Sequence, residues 1–367
     1  MKYNWQQKDW PLFSYDDVKL EDKLYRIASH MGRLSGAMKM LPENTKMEVL
    51  IDTMVSEAIK TSEIEGEFFS RQDVKSSIRN KLGLNTKSEH VHNLSARGVG
   101  ELMVAVHTHF AEPLSEKMLF DWHRLLLQES RSIAVGEWRT HEEPMQVLSG
   151  ALGKERVHFE APASKNVPEE MSQFILWFNE TAPGGKREIK KAPIRAGIAH
   201  LYFESIHPFE DGNGRIGRAL SEMALAQGIG HPVLMSLSAT IEANKKDYYS
   251  ALEKAQYQNE ITPWLNYFSD TLYKAQQAAE DHIDFILGKT NFFHSFKGQL
   301  NARQHTAIQR MLEEGPQGFK GGMSARKYIA ITKTSKATAT RDLQHLVEIG
   351  AFKLIGAGRS ARYDIVL

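Results

Sequence analysis

Residues His207 to Arg218 have the sequence HPFEDGNGRIGR. The apolar pattern before this stretch predicts a helix that ends near Ile206, and a second helix is predicted to begin near Asn213. Gly212 and Gly214 allow a tight turn between the helices, so that backbone N–H groups point into the gap. The first N–H groups of a helix have no partner inside the helix and bind anions. The stretch therefore predicts an anion-binding turn between two helices.

Four side chains of the same stretch add chemistry to this turn. Arg215 and Arg218 lie three residues apart, which places them on one helix face, and both can form paired hydrogen bonds with phosphate oxygens. Asp211 is a hard oxygen ligand suited to Mg²⁺ beside those phosphates, and His207 can accept a proton near neutral pH. Each residue alone also fits a helix cap, a turn or a solvated helix face. Together they predict a phosphate site with a general base and a metal ligand.

The composition is that of a globular protein. The chain has 367 residues, of which 41% are hydrophobic and 25% charged, so two or three domains are expected, and a disordered or fibrous chain is excluded. The absence of cysteine excludes disulfides, thiolate zinc sites and a cysteine nucleophile, and it fits a reducing, cytoplasmic location. The N-terminus lacks the apolar core of a signal peptide, and no apolar run is long enough to cross a membrane, so we expect no membrane partner.

Composition and helical periodicity divide the chain into three predicted segments: 1–85, 91–287 and 296–367. In the first, apolar residues recur at helical spacing from Met47, and the helix is expected to reach Glu65, with Gly66 as its stop. In the second, residues 145–162 are expected to form a short β-hairpin with glycine at its tip. The helix that follows the anion-binding turn is expected to stop at Gly228.

The last segment differs from the rest in charge. Residues 296–367 carry 12 basic and 5 acidic residues, whereas the remainder of the chain carries 34 and 40. Three helices and a hairpin are predicted there, in the order of a winged helix: 302–314, 324–331, 335–349, then 352–355 and 363–367. Arg341 on the third helix and Arg359 and Arg362 on the wing suit contacts with DNA. Use of the winged helix for protein–protein contact is the alternative.

The stretch 207–218 resembles the signature of the Fic family of protein adenylyltransferases, HxFx(D/E)(G/A)NGRxxR, and matches it at every specified position. The resemblance implies a mainly α fold, with a Fic-type helical core and a small β-hairpin flap, to which this chain adds the predicted winged helix-turn-helix domain. It also implies an enzyme that uses ATP as co-substrate and Mg²⁺ as cofactor. Such an enzyme transfers AMP to Ser, Thr or Tyr hydroxyls of proteins, its own chain included. Members of the family are often dimers, so a homodimer is one expected assembly.

The resemblance also assigns roles to individual residues of the stretch. His207 would deprotonate the target hydroxyl, Phe209 would pack inward, and Asp211 would bind Mg²⁺ between the α- and β-phosphates. The remaining residues would bind the triphosphate of ATP: Gly212, Asn213 and Gly214 at the α- and β-phosphates, Arg215 at the β-phosphate and Arg218 at the γ-phosphate.

Two further parts of the ATP site follow from the same resemblance. The stretch Val147-Leu148-Ser149-Gly150 occupies the place of the flap, which lies over the ATP site and pairs with an extended target segment. An ordinary surface hairpin is the alternative for this stretch. Tyr248 and Gln256 occupy the place of residues that meet the adenine, although the second position is often Asn in the family. Packing of Tyr248 in the core is an equal alternative.

An inhibitory pattern of the family lies upstream. Thr61-Ser62-Glu63-Ile64-Glu65-Gly66 matches the inhibitory helix, (S/T)xxxE(G/N). Thr61 and Glu65 share one helix face, and pairing of Glu65 with Arg218 would occupy the clamp for the γ-phosphate. The resemblance therefore implies an autoinhibited enzyme. A reverse role, in which Glu65 orients a water that removes AMP from a modified target, is left open by the sequence.

Two other functions also remain open from the sequence. Family members that act as phosphotransferases carry Lys in place of Gly214 and lack the second Arg, whereas Gly214 and Arg218 are both present here. The other alternative is a DNA-binding transcriptional regulator whose Fic site only senses nucleotide. Adenylyl transfer is thus the leading prediction.

Overall fold

The computed structural model describes residues 2–149, 156–316, 318–356 and 358–367. Within these ranges the chain forms helices and two small antiparallel hairpins, which confirms the prediction of a mainly α fold with a small hairpin. The chain divides into two compact units, Met1–Gln277 and Ala278–Leu367. Among the helices described, none combines the length and the apolar composition that crossing a bilayer requires.

Among its described residues, the first unit contains ten complete α-helices, one hairpin and the start of an eleventh α-helix. They are α1 (Asp17–Met40), α2 (Glu43–Ile64), α3 (Arg71–Lys81), α4 (Leu94–His109), α5 (Glu116–Leu126), β1 (Gln146–Ser149), β2 (Arg156–Glu160), α6 (Val167–Glu180), α7 (Ala192–Ile206), α8 (Asn213–Ile229), α9 (Leu237–Ala243), α10 (Lys245–Ala255) and α11 (Thr262–Ser295). The predicted segment 1–85 and most of the predicted segment 91–287 lie together in this one unit.

Helix α7 is the centre of the first unit. Nearly all of its residues are buried, including Ile198, Leu201 and Phe203. A helix with buried residues on all sides has to be covered on all sides, and α6 and α8 both pack against it. The turn that follows α7 is therefore held at a fixed place in the interior.

Helix α8 begins where the sequence predicts and ends later than predicted. Its N-cap is Gly212, and it runs to Ile229, with Gly230 as a left-handed C-cap. The prediction that this helix stops at Gly228 is wrong. A Cβ at Gly228 would collide with the Cβ of Ala192 at the start of α7. Glycine is needed there because the two helices approach closely, which is a packing requirement rather than a stop signal.

Helix α2 carries the predicted inhibitory pattern and ends as the sequence indicates. Its buried face includes Val55 and Ala58, and it packs against α3, α4, α8 and α9. Glu65 is its C-cap, and Gly66 has a φ of 86°, in the left-handed region that glycine favours. Lys245 of α10 donates a hydrogen bond to the carbonyl of Ile64, so the end of α2 is tied to α10.

Strands β1 and β2 form the predicted hairpin within residues 145–162. They pair antiparallel with Gln146 opposite Glu160, and the register shifts between Val147 and Leu148, whose partners on β2 are Phe159 and Val157. Gly150, which the sequence places in the flap, lies outside the described residues together with the rest of the tip, 151–155.

Within its described residues, the second unit contains the end of α11, followed by three helices and a hairpin in the predicted order. They are α12 (Ala302–Leu312), α13 (Ala325–Thr332), α14 (Lys336–Glu348), β3 (Phe352–Ile355) and β4 (Arg362–Ile365). The core joins all three helices and β3 through Ile308, Tyr328, Leu343 and Phe352. On α14, Lys336 is exposed while Leu343 is buried. The winged-helix interpretation and the DNA partner stay predictions.

Candidate active site

The turn between α7 and α8 is closed by one amide side chain. Asn213 is buried, its Oδ1 accepts from the backbone N–H of Phe209 at 2.9 Å, and its Nδ2 donates to the carbonyl of the same residue at 2.8 Å. Both ends of the amide are thus used inside the turn. The structure assigns Asn213 to shaping the turn, which leaves the N–H groups at the start of α8 directed at the gap.

Phe209 packs inward, as the sequence predicts for it. It is fully buried and stacks on the imidazole of His123, with ring centroids 4.1 Å apart. Gly136 N–H donates to His123 Nδ1, so the ring proton lies on Nε2, which donates to the carbonyl of Asp211 at 3.2 Å. Burial lowers the pKa of His123 to about 4, which keeps this ring neutral. His123 therefore supports the turn from α5, a role that no local signal in the sequence indicates.

His207 is held in a strained backbone conformation. Its φ of 50° and ψ of 61° are left-handed, which few residues other than glycine adopt. The buried guanidinium of Arg139 keeps it there by donating to the carbonyls of His207 at 2.8 Å and Ile206 at 3.3 Å. The backbone N–H of Arg139 also donates to the carbonyl of Pro208. Sequence reasoning missed Arg139 because it is remote in the chain from the turn that it holds.

Arg218 is paired with the end of α2. Its Nη2 donates to Oε1 of Glu65 at 2.7 Å and its Nε donates to Oγ1 of Thr61 at 2.7 Å. Arg218 is buried, whereas the Glu65 side chain is 30% exposed. Burial opposes the charged form, but Glu65 and further negative groups outweigh it, and the pKa of Arg218 is raised. A Cβ at Gly214 would collide with Oε1 of Glu65, so this carboxylate lies against the N-terminal turn of α8.

Arg215 is paired in the same way with a residue that the sequence analysis did not select. Its Nη1 donates to Oε2 of Glu67 at 2.5 Å, and its Nη2 lies 3.7 Å from Oδ1 of Asp211. Arg215 is buried, and the Glu67 side chain is 38% exposed. The one sequence feature that could have indicated this pair is that the residue directly after Gly66 is acidic. Both predicted phosphate clamps therefore hold a carboxylate from the N-terminal segment.

Each of these two arginines keeps an unused donor. Nε of Arg215 and Nη1 of Arg218 are buried and have no hydrogen-bond partner in the described part of the chain. A buried donor without an acceptor costs free energy, about 1–3 kcal/mol. The arrangement is therefore incomplete as it stands and fits an additional anionic ligand.

Asp211 lies at the open side of the turn. Its side chain is 60% exposed, and Oδ1 accepts from the backbone N–H of Gly212 at 2.6 Å. Oδ2 has no hydrogen-bond partner among the described residues. A single exposed carboxylate beside the predicted phosphate site has the chemistry to bind Mg²⁺, which proteins commonly bind through one or two carboxylates and the phosphates of a substrate.

The two residues predicted at the adenine lie in the interior. Tyr248 is 2% exposed, and its hydroxyl lies 2.8 Å from Nε2 of His200. Burial raises the pKa of this phenol. Gln256 is 4% exposed and donates to the carbonyl of Glu204 at 3.2 Å. The structure does not offer either side chain to a ligand; the neighbouring ring of Tyr249 is the one that is 39% exposed.

The predicted flap of the ATP site lies in the hairpin formed by β1 and β2. Leu148 is 50% exposed, and each strand of a two-stranded sheet has one unpaired edge. Arg156 of β2 pairs with Glu253 of α10 at 2.9 Å, which anchors the hairpin on the same unit as the turn. Ser149 is the last residue of β1, and its side chain lies outside the described part of the structure.

The fold and the turn together define a helical domain in which two buried arginines and a helix N-terminus meet at the turn between two helices. Residues 113–225 match the model of the Fic/DOC family, and residues 3–84 match a domain of unknown function (DUF4172). The chain therefore contains a Fic domain, which begins before α5 and ends within α8.

Curated relatives match more than half of the chain. The protein adenylyltransferase Fic of Culex quinquefasciatus is 27% identical over 210 residues, which are 56% of this chain and 38% of that protein. The protein of the same name from Nematostella vectensis is 23% identical over 233 residues, which are 63% of this chain and 48% of that protein. The chain thus spans less than half the length of these two relatives.

Solved structures share the fold. The crystal structure of a Fic family protein from Desulfovibrio desulfuricans G20 has a TM-score of 0.54 and 19% identity, with 94% of this chain and 96% of that chain covered. A Fic domain containing signaling protein from Bacteroides thetaiotaomicron has a TM-score of 0.52 and 20% identity, with 71% of this chain and 97% of that chain covered. These likenesses concern the fold alone.

Proposed function

We propose that this protein transfers AMP from ATP to the hydroxyl of a Ser, Thr or Tyr side chain of a protein, its own chain included. The observation that carries the proposal is the convergence at one helix N-terminus of His207, Asp211 and the two buried arginines Arg215 and Arg218. The curated relatives are named protein adenylyltransferases, which supports the same reaction.

The triphosphate of ATP would bind where the two carboxylates now lie. Arg215 and Arg218 already contact anionic oxygens and each retains a buried donor without a partner. The N-terminal turn of α8 adds backbone N–H groups and the positive end of the helix dipole. These groups suit three linked phosphates better than two separate side chains, because all of the donors then share one ligand.

The reaction proceeds by displacement at the α-phosphorus. His207 takes the proton of the target hydroxyl, whose oxygen forms a bond to that phosphorus while the bond to the bridging oxygen breaks and pyrophosphate leaves. Arg215 and Arg218 stabilise the charge that develops on the pyrophosphate. Mg²⁺ held by Asp211 would neutralise part of the phosphate charge when bound.

The same geometry supports autoinhibition. Glu65 and Glu67 occupy the guanidinium groups that the β- and γ-phosphates need. ATP that binds beside an intact Glu65–Arg218 pair lacks a partner for its γ-phosphate and would be held in an unproductive position. Displacement of the end of α2 would free both clamps.

The exposed edge of the hairpin is the proposed binding place for the target. An extended segment that carries the hydroxyl would add to β1 or β2 through main-chain hydrogen bonds. This mode needs little sequence specificity, since the backbone supplies most of the contacts.

Incubation of the Glu65→Gly protein with ATP labelled at either the α- or the γ-phosphate tests the proposal. Label from the α-phosphate on protein is expected, and it should disappear when His207→Ala is added to the same protein. Label from the γ-phosphate would indicate phosphotransfer instead. No label from either position, despite measurable ATP binding, would favour a nucleotide sensor over an enzyme.

A further inference from the structure

Glu204 is a buried carboxylate that phosphate binding does not require. It lies in the last turn of α7, three residues before His207, and is 5% exposed. Burying a carboxylate is costly unless the charge is compensated. The groups that compensate it therefore indicate what this side chain does.

The nearest ionisable partner of Glu204 is the proposed base. Oε2 of Glu204 lies 3.6 Å from Nδ1 of His207. This Nδ1 is buried and has no hydrogen-bond partner among the residues that the structure describes. A separation of 3.6 Å is slightly too long for a hydrogen bond, but catalytic hydrogen bonds are often long in a free enzyme and shorten in the complex.

A glycine on the neighbouring helix makes room for this carboxylate. A Cβ at Gly217 would lie 2.5 Å from Oε1 of Glu204. Glycine inside a helix costs about 1 kcal/mol relative to alanine, and Gly217 is buried within α8. The close approach of Glu204 explains why a larger residue does not fit there.

The other charged and titratable groups near Glu204 come from four elements of the first unit. They are His200 of α7, Arg218 of α8, Tyr248 and Tyr249 of α10 and, beyond Arg218, Glu65 of the α2 end. His200 is tied to the hydroxyl of Tyr248, and Arg218 to Glu65 and Thr61. Burial alone would raise the pKa of Glu204, but the His207 contact and the nearby positive charges lower it below the usual value.

We propose that Glu204 is the positioning residue for His207: its carboxylate accepts the Nδ1 proton and so leaves the lone pair on Nε2 facing the target hydroxyl. This inference rests on the proposed function. When Nε2 takes the hydroxyl proton, the imidazolium carries a proton on each nitrogen, and the negative charge of Glu204 stabilises it. Glu204 itself stays ionised, since no proton needs to move to it.

The position of the ring proton is the direct test, and it does not depend on catalysis. ¹⁵N NMR of the imidazoles, assigned with His207→Gln, distinguishes the Nδ1–H form from the Nε2–H form across a pH series. The Nδ1–H form of His207 is expected in the unaltered protein. Glu204→Gln should shift the ring toward Nε2–H, because the amide can donate to Nδ1 whereas a carboxylate can only accept.

A second variant reaches the same contact without removing the charge. Gly217→Ala adds a Cβ against Oε1 of Glu204 and should also reduce the Nδ1–H population. Glu170→Gln is the control for loss of a hydrogen-bonded, partly buried carboxylate elsewhere in the unit, because Glu170 of α6 accepts from Trp10 Nε1 at 2.9 Å. Gly36→Ala is the matched control for the glycine, since a Cβ there meets nothing within 4 Å.

The kinetic readout uses the Glu65→Gly protein as its background. Glu204→Gln is expected to lower kcat about 100-fold, the scale of a general base, while the KM for ATP stays the same. Glu170→Gln and Gly36→Ala should leave both constants unchanged.

Two results would overturn the inference. One is an unchanged His207 tautomer in both Glu204→Gln and Gly217→Ala. The other is a higher KM for ATP with an unchanged kcat, which would make Glu204 a counter-charge for Arg218. A tautomer shift in a protein that transfers no AMP in any variant would instead refute the proposed reaction and leave the positioning contact supported.

Discussion

The Glu65–Arg218 ion pair predicts that Glu65→Gly activates the protein. The pair joins a buried guanidinium to a carboxylate whose side chain is 30% exposed, at 2.7 Å. A hydrogen bond that involves a charged group contributes about 1.5–3 kcal/mol. Because the carboxylate is partly solvated, we take about 2 kcal/mol, and since about 1.4 kcal/mol equals a tenfold change, removal of Glu65 should strengthen productive ATP binding by about 30-fold.

Two measurements check this value. Titration calorimetry with ATP gives the affinity of the unaltered and the Glu65→Gly proteins, and transfer of α-phosphate label gives the rate. The matched control is Glu63→Gly, which places a glycine at the same helix end but removes a carboxylate that pairs with Lys60 at 2.5 Å rather than with Arg218. If Glu65→Gly and Glu63→Gly change the ATP affinity and the transfer rate equally, the Glu65–Arg218 ion pair does not inhibit the protein, and the reasoning from its geometry is wrong.

Three further predictions concern the groups around the turn. Glu67→Gln should strengthen ATP binding by about fivefold, near the lower end of allosteric couplings. The effect should be smaller than that of Glu65→Gly because the Glu67 side chain is more exposed. Calorimetry that shows no change in ATP affinity would leave the Arg215–Glu67 pair without a regulatory role. Burial lowers the pKa of His123 to about 4, so this ring binds a proton more readily in the unfolded protein than in the folded one. The free energy of unfolding should therefore fall by up to about 3 kcal/mol as pH drops from about 6.5 towards 4. Thermal unfolding across this pH range measures the slope, and an equal slope in His123→Gln would contradict that origin. Arg139→Lys should lower the free energy of unfolding by about 3 kcal/mol, since lysine cannot contact several carbonyls at once as the guanidinium does. Denaturant unfolding tests this, and an unchanged midpoint would show that these hydrogen bonds are dispensable.

The part of the site that could be predicted from the sequence is the part that is contiguous in it. The turn 207–218 carries its own glycines, base and cations, so spacing alone placed them together. Arg139 and His123 hold that turn from other elements, and their contacts depend on how the helices pack. A buried arginine that binds carbonyls leaves no periodic signal, since its partners are backbone atoms whose positions only the fold determines.

The glycines show a second limit of prediction from sequence, because the same residue type serves two structural purposes. Gly66 ends a helix as predicted, whereas Gly228 lies within α8 and serves a close contact with Ala192. A stop and a close contact both require the absence of a side chain. The sequence therefore identifies where Cβ is not tolerated but not which of the two reasons applies.

The end of α2 has a Schellman-type geometry that positions both inhibitory carboxylates, Glu65 and Glu67, although the sequence analysis selected only Glu65. The N–H of Glu67 donates to the carbonyl of Ser62, and the N–H of Gly66 donates to the carbonyl of Glu63, the pair of bonds that defines this motif. Gly66 supplies the left-handed φ that turns the chain back, so Glu65 and Glu67 are fixed by one backbone arrangement. Their carboxylates contact Arg218 and Arg215, one turn of α8 apart. Because one motif positions both acids, unwinding the end of α2 removes both ion pairs at once, and the two should act as a single switch rather than as two independent contacts.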